Sequence, residues 1–191
     1  MSTRILVLVG SLRAASYNRQ LAQAAVKHAP DGIAVDIFDS LADVVLYNED
    51  IDRPGAVAAA DRLRAEVRST DALLVVTPEY NGTSPAALGN AIDWISRPYG
   101  TGAITGKPVA VIGTSGGHSG GVRAHEDVRK AARIAGASVL DDVRLSVPRA
   151  GTRFATIHPA DDGEIAGTMP SILATLAAAV PARQELVQES A

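Results

Sequence analysis

Apolar runs alternating with stretches of helical periodicity set the reading of this chain. Arg4-Ile-Leu-Val-Leu-Val-Gly10 is continuously apolar and ends in glycine, the pattern of a strand buried on both faces. Ile33 to Phe38, Ala72 to Thr77 and Pro108 to Thr114 repeat it, and Val139 to Val147 is a weaker fifth run. Between them the spacing predicts helices over about Asn18 to Ala29, Ala56 to Arg68, Pro85 to Arg97 and Val122 to Ala135, with a last one beginning near Pro170. Strand and helix alternate, which implies an α/β fold with a parallel sheet covered on both faces. Pro181 should kink or end the last helix, and the tail to Ala191 is expected to fray. Pro148 to Met169 lacks clear periodicity, and Asp161-Asp162-Gly163 reads as a turn inside it. No repeat or linker divides the chain, so residues 1–191 are expected to form a single domain.

Composition narrows the chemistry. With no cysteine, thiol catalysis, thiolate zinc sites and disulfides are excluded. The residues are 47% hydrophobic yet only 4% aromatic, so the core must be built from Ala, Val, Ile and Leu. A net charge of −3 provides no broad attraction for a polyanion, which argues against nucleic acid as a partner and requires any anion site to be local. No apolar run approaches the ~18 residues of a membrane span. Ile5 to Val9 is too short for a signal segment, so the expectation is a cytoplasmic protein with no membrane partner.

In open parallel sheets, ligands bind outside the carboxyl ends of the strands. Three strand exits therefore matter. The first, Gly10 to Asn18, holds hydroxyls at Ser11 and Ser16, an amide at Asn18 and a cation at Arg13, all ahead of a helix. Hydroxyl donors, free backbone N–H groups and the helix's positive end suit a phosphate monoester, with Arg13 able to add a forked contact. The plainer alternative makes Ser16 and Asn18 helix caps and Arg13 a solvated charge. Neither G-x-G-x-x-G nor the P-loop pattern is present, so a dinucleotide Rossmann site and a P-loop ATPase both lose their fingerprint.

The second exit is Thr77-Pro-Glu-Tyr-Asn-Gly-Thr-Ser84. Pro78 and Asn81-Gly82 turn the chain, leaving backbone donors for the edge of a flat heteroaromatic ring, with Tyr80 able to cover a face. A plain turn with Glu79 solvated is the alternative. The third exit, Gly113 to Gly121, holds five of the seventeen glycines. Glycine lets backbone approach a ligand closely. Gly113-Thr-Ser115-Gly-Gly117 also matches the nucleophile elbow G-x-S-x-G, and Ser115, Asp141 or Asp142, and His158 follow the order of an α/β-hydrolase triad. The glycines running on to Gly121 delay the helix that an elbow needs at once.

Two helices add smaller expectations. Trp94 lies about 120° from the apolar stripe Leu88, Ala91, Ile92 and Ile95, on the side of Asn90 and Arg97, and is expected to leave the core for a subunit contact, the alternative being partial cover by the following loop. Arg123, Glu126, Asp127, Arg129, Lys130 and Arg133 read as a solvated charged face. His28, His118, His125 and His158 lack metal-ligand spacing, so no metal is expected; His118 lies in a candidate loop and could touch substrate, with a solvated loop histidine as the favoured alternative.

With these residues in hand, the chain resembles the NADPH-dependent FMN reductase family of flavodoxin-like proteins, which includes quinone, azo-dye and chromate reductases. The matching residues are Gly10-Ser-Leu-Arg13 with Ser16 and Asn18, Thr77-Pro-Glu-Tyr-Asn81 with Ser84-Pro85, Asn90-Ala-Ile-Asp-Trp94 with Ser96-Arg97, and Thr114-Ser115-Gly116-Gly117. The resemblance implies a doubly wound, five-stranded parallel sheet of order 2-1-3-4-5. It implies that Ser11, Arg13, Ser16 and Asn18 hold the phosphate of FMN. Pro78, Glu79, Tyr80 and Asn81 then line the isoalloxazine ring, and Ser115, Gly116 and Gly117 close its other side. It further implies NADPH or NADH as co-substrate, and quinones, azo compounds, free flavin or metal oxyanions as small-molecule acceptors. A homodimer or homotetramer follows as well, with Trp94 and Arg97 at the interface. No side chain is expected as an obligatory acid or base, because the chemistry lies at flavin N5. The rivals are a flavodoxin-type electron carrier and the Ser115 hydrolase. Pro85-Ala86 and Leu88-Gly89 depart from the Pro-Gly and Leu-Lys usual in relatives.

Overall fold

The computed structural model describes residues 2–181. The expected tail lies largely outside the described residues. Four long strands, β1 (Thr3–Val9), β2 (Ile33–Phe38), β3 (Ala72–Val76) and β4 (Pro108–Thr114), pair in parallel in the order β2-β1-β3-β4. β1 pairs with β2 on one side and with β3 on the other. The chain therefore reverses its direction of winding at β1, and the loops leaving β1 and β3 part to opposite faces, opening a crevice at their carboxyl ends.

Side-chain alternation along the strands builds two cores. Ile5, Val7 and Val9 point to one face, against Leu21 and Ala25 of α1 (Tyr17–Lys27) and Ile165, Met169 and Leu173 of α6 (Gly163–Ala178). Leu6 and Leu8 point to the other. There they meet Leu63 of α2 (Ala58–Ser69), Leu88 of α3 (Ala86–Ile95) and Val128 of α4 (Val122–Ile134). Aliphatic residues on both faces of a parallel strand are what helix coverage on both sides demands.

The structure departs from the sequence reading in three places. The fifth strand is two short pieces: β5 (Ser138–Val139) pairs with Pro108–Val109, and β6 (Ser146–Val147) pairs with Gly113–Thr114. Arg129 fills the gap between them. Although expected on a solvated face, it is 2% exposed, and its Nη2 donates to the Val111 and Val143 carbonyls at 2.8 and 3.2 Å. A buried guanidinium thus satisfies carbonyls that an unbroken ladder would have paired.

The last helix begins at Gly163, seven residues ahead of the expected start near Pro170. The Asp162 carboxylate caps it, accepting from Glu164 N and Ile165 N, so the predicted turn residue is an N-cap. Pro170 sits inside the helix. Ile165, Met169, Ile172, Leu173 and Leu176 are all buried on one stripe, and their packing outweighs the ~3 kcal/mol an internal proline costs. A four-residue helix, α5 (Ala150–Arg153), precedes it.

Trp94 is not a surface residue. It is 1% exposed within the single chain, because the segment after β2 folds back over α3. The indole N–H donates to Val45 O at 2.8 Å, the Tyr47 ring meets the indole edge-on at 5.1 Å, and the Arg64 guanidinium lies 5.1 Å from its centre. Asn90 anchors the same segment through the Val44 and Val45 carbonyls and the Tyr47 amide. Arg64 in turn forks onto Asp52, whose carboxyl it holds below the usual range, chiefly by hydrogen bonding. The helical period set Asn90 and Trp94 apart from the apolar stripe, but Trp94 belongs to the buried core cluster on this side of the sheet. The period could not show that another part of the same chain covers these residues.

Candidate functional site

The loop from β1 to α1 is held at its ends and open in its middle. Gly10 is set against α3: a Cβ there would lie 2.6 Å from Leu88 Cδ1. Ser16 is a helix cap, its Oγ accepting from Asn18 N and Arg19 N. Asn18 ties the start of α1 to the end of β4, donating from Nδ2 to Thr114 O at 2.8 Å and accepting from Thr114 N at 3.0 Å. Both residues are buried. The capping alternative is therefore realised for Ser16, and Asn18 acts as a strut between two site loops. Arg13 is exposed, its nearest aromatic contact a Tyr17 ring 6.0 Å away.

The loop from β3 to α3 is strapped down. Tyr80 and Thr83 exchange backbone hydrogen bonds at 3.0 Å around Asn81 (φ 53°) and Gly82 (φ 77°), the left-handed pair that a tight Asn-Gly turn requires. The Glu79 carboxylate is half-buried and has protein partners. It accepts from Arg123 N and Ala124 N, at the otherwise uncapped start of α4. From α4, Asp127 reaches back, its Oδ2 accepting from Thr83 Oγ1, Ser84 N and Ser84 Oγ at 2.5 to 3.0 Å. Those bonds, Thr83's first, hold its carboxyl below the usual range. Two carboxylates thus fasten both ends of this loop to one helix.

The loop after β4 lies across from it. Ser115 N donates to Val147 O, and Ser115 O and Gly117 O accept from Ala150 N and Arg149 N. A Cβ at Gly116 would meet nothing within 4 Å, so this backbone borders open space, whereas one at Gly113 would lie 2.0 Å from Thr77 O. Behind these strand ends His125 is 1% exposed. Its Nδ1 bonds to Ser146 Oγ at 3.0 Å, and its Nε2 faces the Thr77 carbonyl without closing a hydrogen bond. Burial, aided by the neighbouring Arg129, pushes its pKa down to about 4, so the ring is neutral at pH 7.

The three loops enclose one cleft of about 200 Å³. Ser11, Arg13, Ser16, Asn18, Pro78, Glu79, Tyr80, Ser115 and Gly116 line it, together with Thr114, which the sequence offers only as a motif match, and Tyr17 and Ala150, which it does not single out. Asn81 and Gly117 stand outside that lining. Arg13 and the hydroxyls of Ser11 and Ser16 come to this lining from the β1–α1 loop, Ser115 comes from the β4 loop, and the half-exposed Tyr80 ring stands on the β3 loop. His118 lies on the glycine loop, its Nδ1 accepting from Arg149, a residue in the left-handed region at φ 53°. The hydrolase triad is not assembled: His158 bonds to Gln23 and Ala160, and Asp141 to Arg133.

Comparison with known proteins matches this architecture. Residues 3–152 fit the family model for NADPH-dependent FMN reductase. A quinone reductase of Pseudomonas putida is 48% identical over 126 residues, covering 66% of this chain and 67% of that protein. A 2-hydroxy-1,4-benzoquinone reductase of a Burkholderia species is 42% identical over 129 residues, 68% of this chain and 69% of that one. Among solved structures, the flavoenzyme NAD(P)H:(acceptor) oxidoreductase FerB of Paracoccus denitrificans superposes with a TM-score of 0.81 at 29% identity, covering 93% and 97% of the two chains. The sheet order with its switch at β1, the cleft at that switch and the matched residues agree: the chain belongs to the NADPH-dependent FMN reductase family and is a flavodoxin-like, FMN- and NAD(P)H-dependent oxidoreductase.

Proposed function

We propose that the cleft holds FMN with its phosphate at the β1–α1 loop and its ring between the β3 and β4 loops, and that the acceptor is a quinone. The observation that carries this reading is the polarity of the cleft. An exposed guanidinium with no hydrogen bond or ion pair of its own among the described residues stands with the Ser11 hydroxyl ahead of the α1 N-terminus. That is the donor set a phosphate dianion takes. From the other two loops, Pro78, Tyr80, Ser115 and Gly116 line the same cleft and would flank a flat ring. The residues present fit the group.

FMN supplies the two-electron chemistry between NAD(P)H and the acceptor when bound. The protein's task is then placement. Arg13 and Ser11 fix the phosphate, while Ser16 and Asn18 hold the turn that presents them. Within Pro78 to Asn81, proline has no N–H and the Tyr80 N–H is spent on Thr83 O, so the Glu79 N–H is the backbone donor left in the lining for the ring edge, where a fixed dipole would stabilise negative charge on the reduced ring. Ser115 to Gly117 border the opposite side without side-chain bulk at the glycines. No acid or base is demanded of a side chain, and the buried, neutral His125 supports the loops from behind.

Quinone is the acceptor class that the relatives' names favour. Among the described residues no helix is long and apolar enough to cross a membrane, and a cytoplasmic enzyme goes with this reading. So does a homodimer or homotetramer. Since Trp94 is covered by its own chain, the contact would use the exposed Leu46 and Tyr99 near Arg97. Size-exclusion chromatography with light scattering checks the assembly.

The test of function is steady-state oxidation of NADPH by the FMN-loaded protein, with and without a benzoquinone. The reading expects turnover to depend on both the quinone and FMN. A protein that retains FMN but turns over negligibly would be a flavodoxin-type carrier instead.

A further inference from the structure

On the far side of the Ser11–Arg13 wall lies a second, larger cavity, about 370 Å³, between the carboxyl ends of β1 and β2. Its lining includes the apolar Leu12, Phe38 and Leu41. At its polar side Arg19, in the first turn of α1, donates to Asp39, the residue immediately after β2, at 2.5 Å. Both partners are substantially exposed, 37% and 59%, so the pair can open to a ligand at little cost. Leu12 is 57% exposed, an apolar side chain presented to this space by the loop that also carries Arg13.

We propose that this cavity receives the adenosine 2′-phosphate end of NADPH, with Asp39 hydrogen-bonding the ribose hydroxyl and Arg19 taking the 2′-phosphate. The inference rests on the FMN reading of the neighbouring cleft. If the nicotinamide must reach a ring held there, the other end of the dinucleotide lies outside the cleft, and this cavity shares a wall with it. The parts match a nucleotide: apolar surface for the base, a carboxylate for ribose, a guanidinium for phosphate. In Rossmann dinucleotide sites an acid after the second strand accepts from the ribose hydroxyl and a nearby arginine admits the 2′-phosphate. This chain lacks the glycine fingerprint of that site, so only the chemistry of the Asp39 and Arg19 pair is carried over, not its pyrophosphate position. The two groups oppose one another in selectivity. Asp39 favours the free 2′-hydroxyl of NADH and repels a phosphate, while Arg19, swung off Asp39, attracts it.

The experiment measures Kd values of adenosine 2′,5′-bisphosphate and of 5′-AMP by titration calorimetry on the FMN-loaded protein, for the wild type, Arg19→Ala and Asp39→Asn. Kinetics with NADPH and NADH accompany it, and FMN affinity is the control. Arg19→Ala is expected to weaken the bisphosphate about tenfold or more, with a smaller effect on 5′-AMP. Asp39→Asn should shift both the Kd ratio and the kcat/KM ratio toward the 2′-phosphorylated ligand, with FMN affinity unchanged. Equal binding of the two nucleotides, or ratios that neither variant moves, overturns the assignment. Failure of the wild type to retain FMN would instead overturn the reading of the first cleft.

Discussion

The loops leaving β1 and β3 face each other across the cleft, yet they are built in opposite ways. The first spends its side-chain bonds on its own ends, at Ser16 and Asn18, and leaves Ser11 and Arg13 to the cleft. The second is fixed throughout, by a left-handed Asn81-Gly82 turn, by Glu79 on the α4 N-terminus and by Asp127 on Thr83 and Ser84. The contrast fits the proposed placement, in which the first loop holds the phosphate of FMN and the second the edge of its ring. A phosphate needs strong donors that lack a competing partner, whereas a flat ring needs an edge that does not move when its charge changes. Charge belongs to the first loop and rigidity to the second.

The most damaging way to break the second loop is from beneath. Gly113→Ala places a methyl group 2.0 Å from the Thr77 carbonyl and 2.7 Å from His125 Nε2, and neither the strand nor the buried ring has room to retreat. A loss of about 3 kcal/mol is expected, read by denaturant unfolding, together with loss of FMN retention.

Acid attacks the same place. His125 binds a proton near pH 6.5 when unfolded but only near 4 when folded, so the unfolded chain gains protons first. Its contribution is therefore fully present above pH 6.5 and is lost as pH falls toward 4, by up to about 3 kcal/mol. His125→Gln should flatten that part of the stability profile.

Arg13→Ala separates the loops cleanly. With no protein hydrogen bond or ion pair to lose among the described residues, it should leave Tm almost unchanged while weakening FMN by about 2 kcal/mol, measured by flavin fluorescence. The smallest effect is expected for Glu79→Gln. The amide oxygen can still accept from Arg123 N and Ala124 N, and only the charge at the helix start is removed, costing about 0.5 kcal/mol of stability. A larger drop in FMN affinity than in stability for Glu79→Gln would show that its charge, and not its capping bond, acts on the ring.

The sheet was legible because its strands are apolar on both faces, a local signal that survives without knowledge of neighbours. The strand bounds of β2 and β4 coincide with the sequence reading. Much of the cleft was legible for a related reason: Ser11, Arg13, Pro78 and Ser115 sit at strand exits, which the topology of a parallel sheet brings to one edge. What escaped depends on long-range covering. Trp94 and Asn90 look solvent-facing on a helical wheel, but Val44 to Tyr47, more than 40 residues earlier in the chain, close over them. Arg129 looks like a member of a charged face and His125 like a histidine with no metal-ligand spacing, yet both serve a gap between β5 and β6 that no periodicity reveals. The early start of α6 was hidden because Pro170 outweighed the stripe from Ile165 to Leu176 in the local reading. Glu79 was seen as part of the ring loop, but its partner amides lie 44 and 45 residues away.

The central claim is that the β1–α1 loop reads the phosphate of FMN through Arg13. It is tested most directly by fluorescence titration of the wild type and Arg13→Ala with FMN and with riboflavin, which lacks the phosphate. The account predicts that the wild type binds FMN far more tightly than riboflavin and that the substitution collapses this difference by weakening FMN alone. Equal affinity of the wild type for both flavins, or a preference that survives the loss of Arg13, would contradict it.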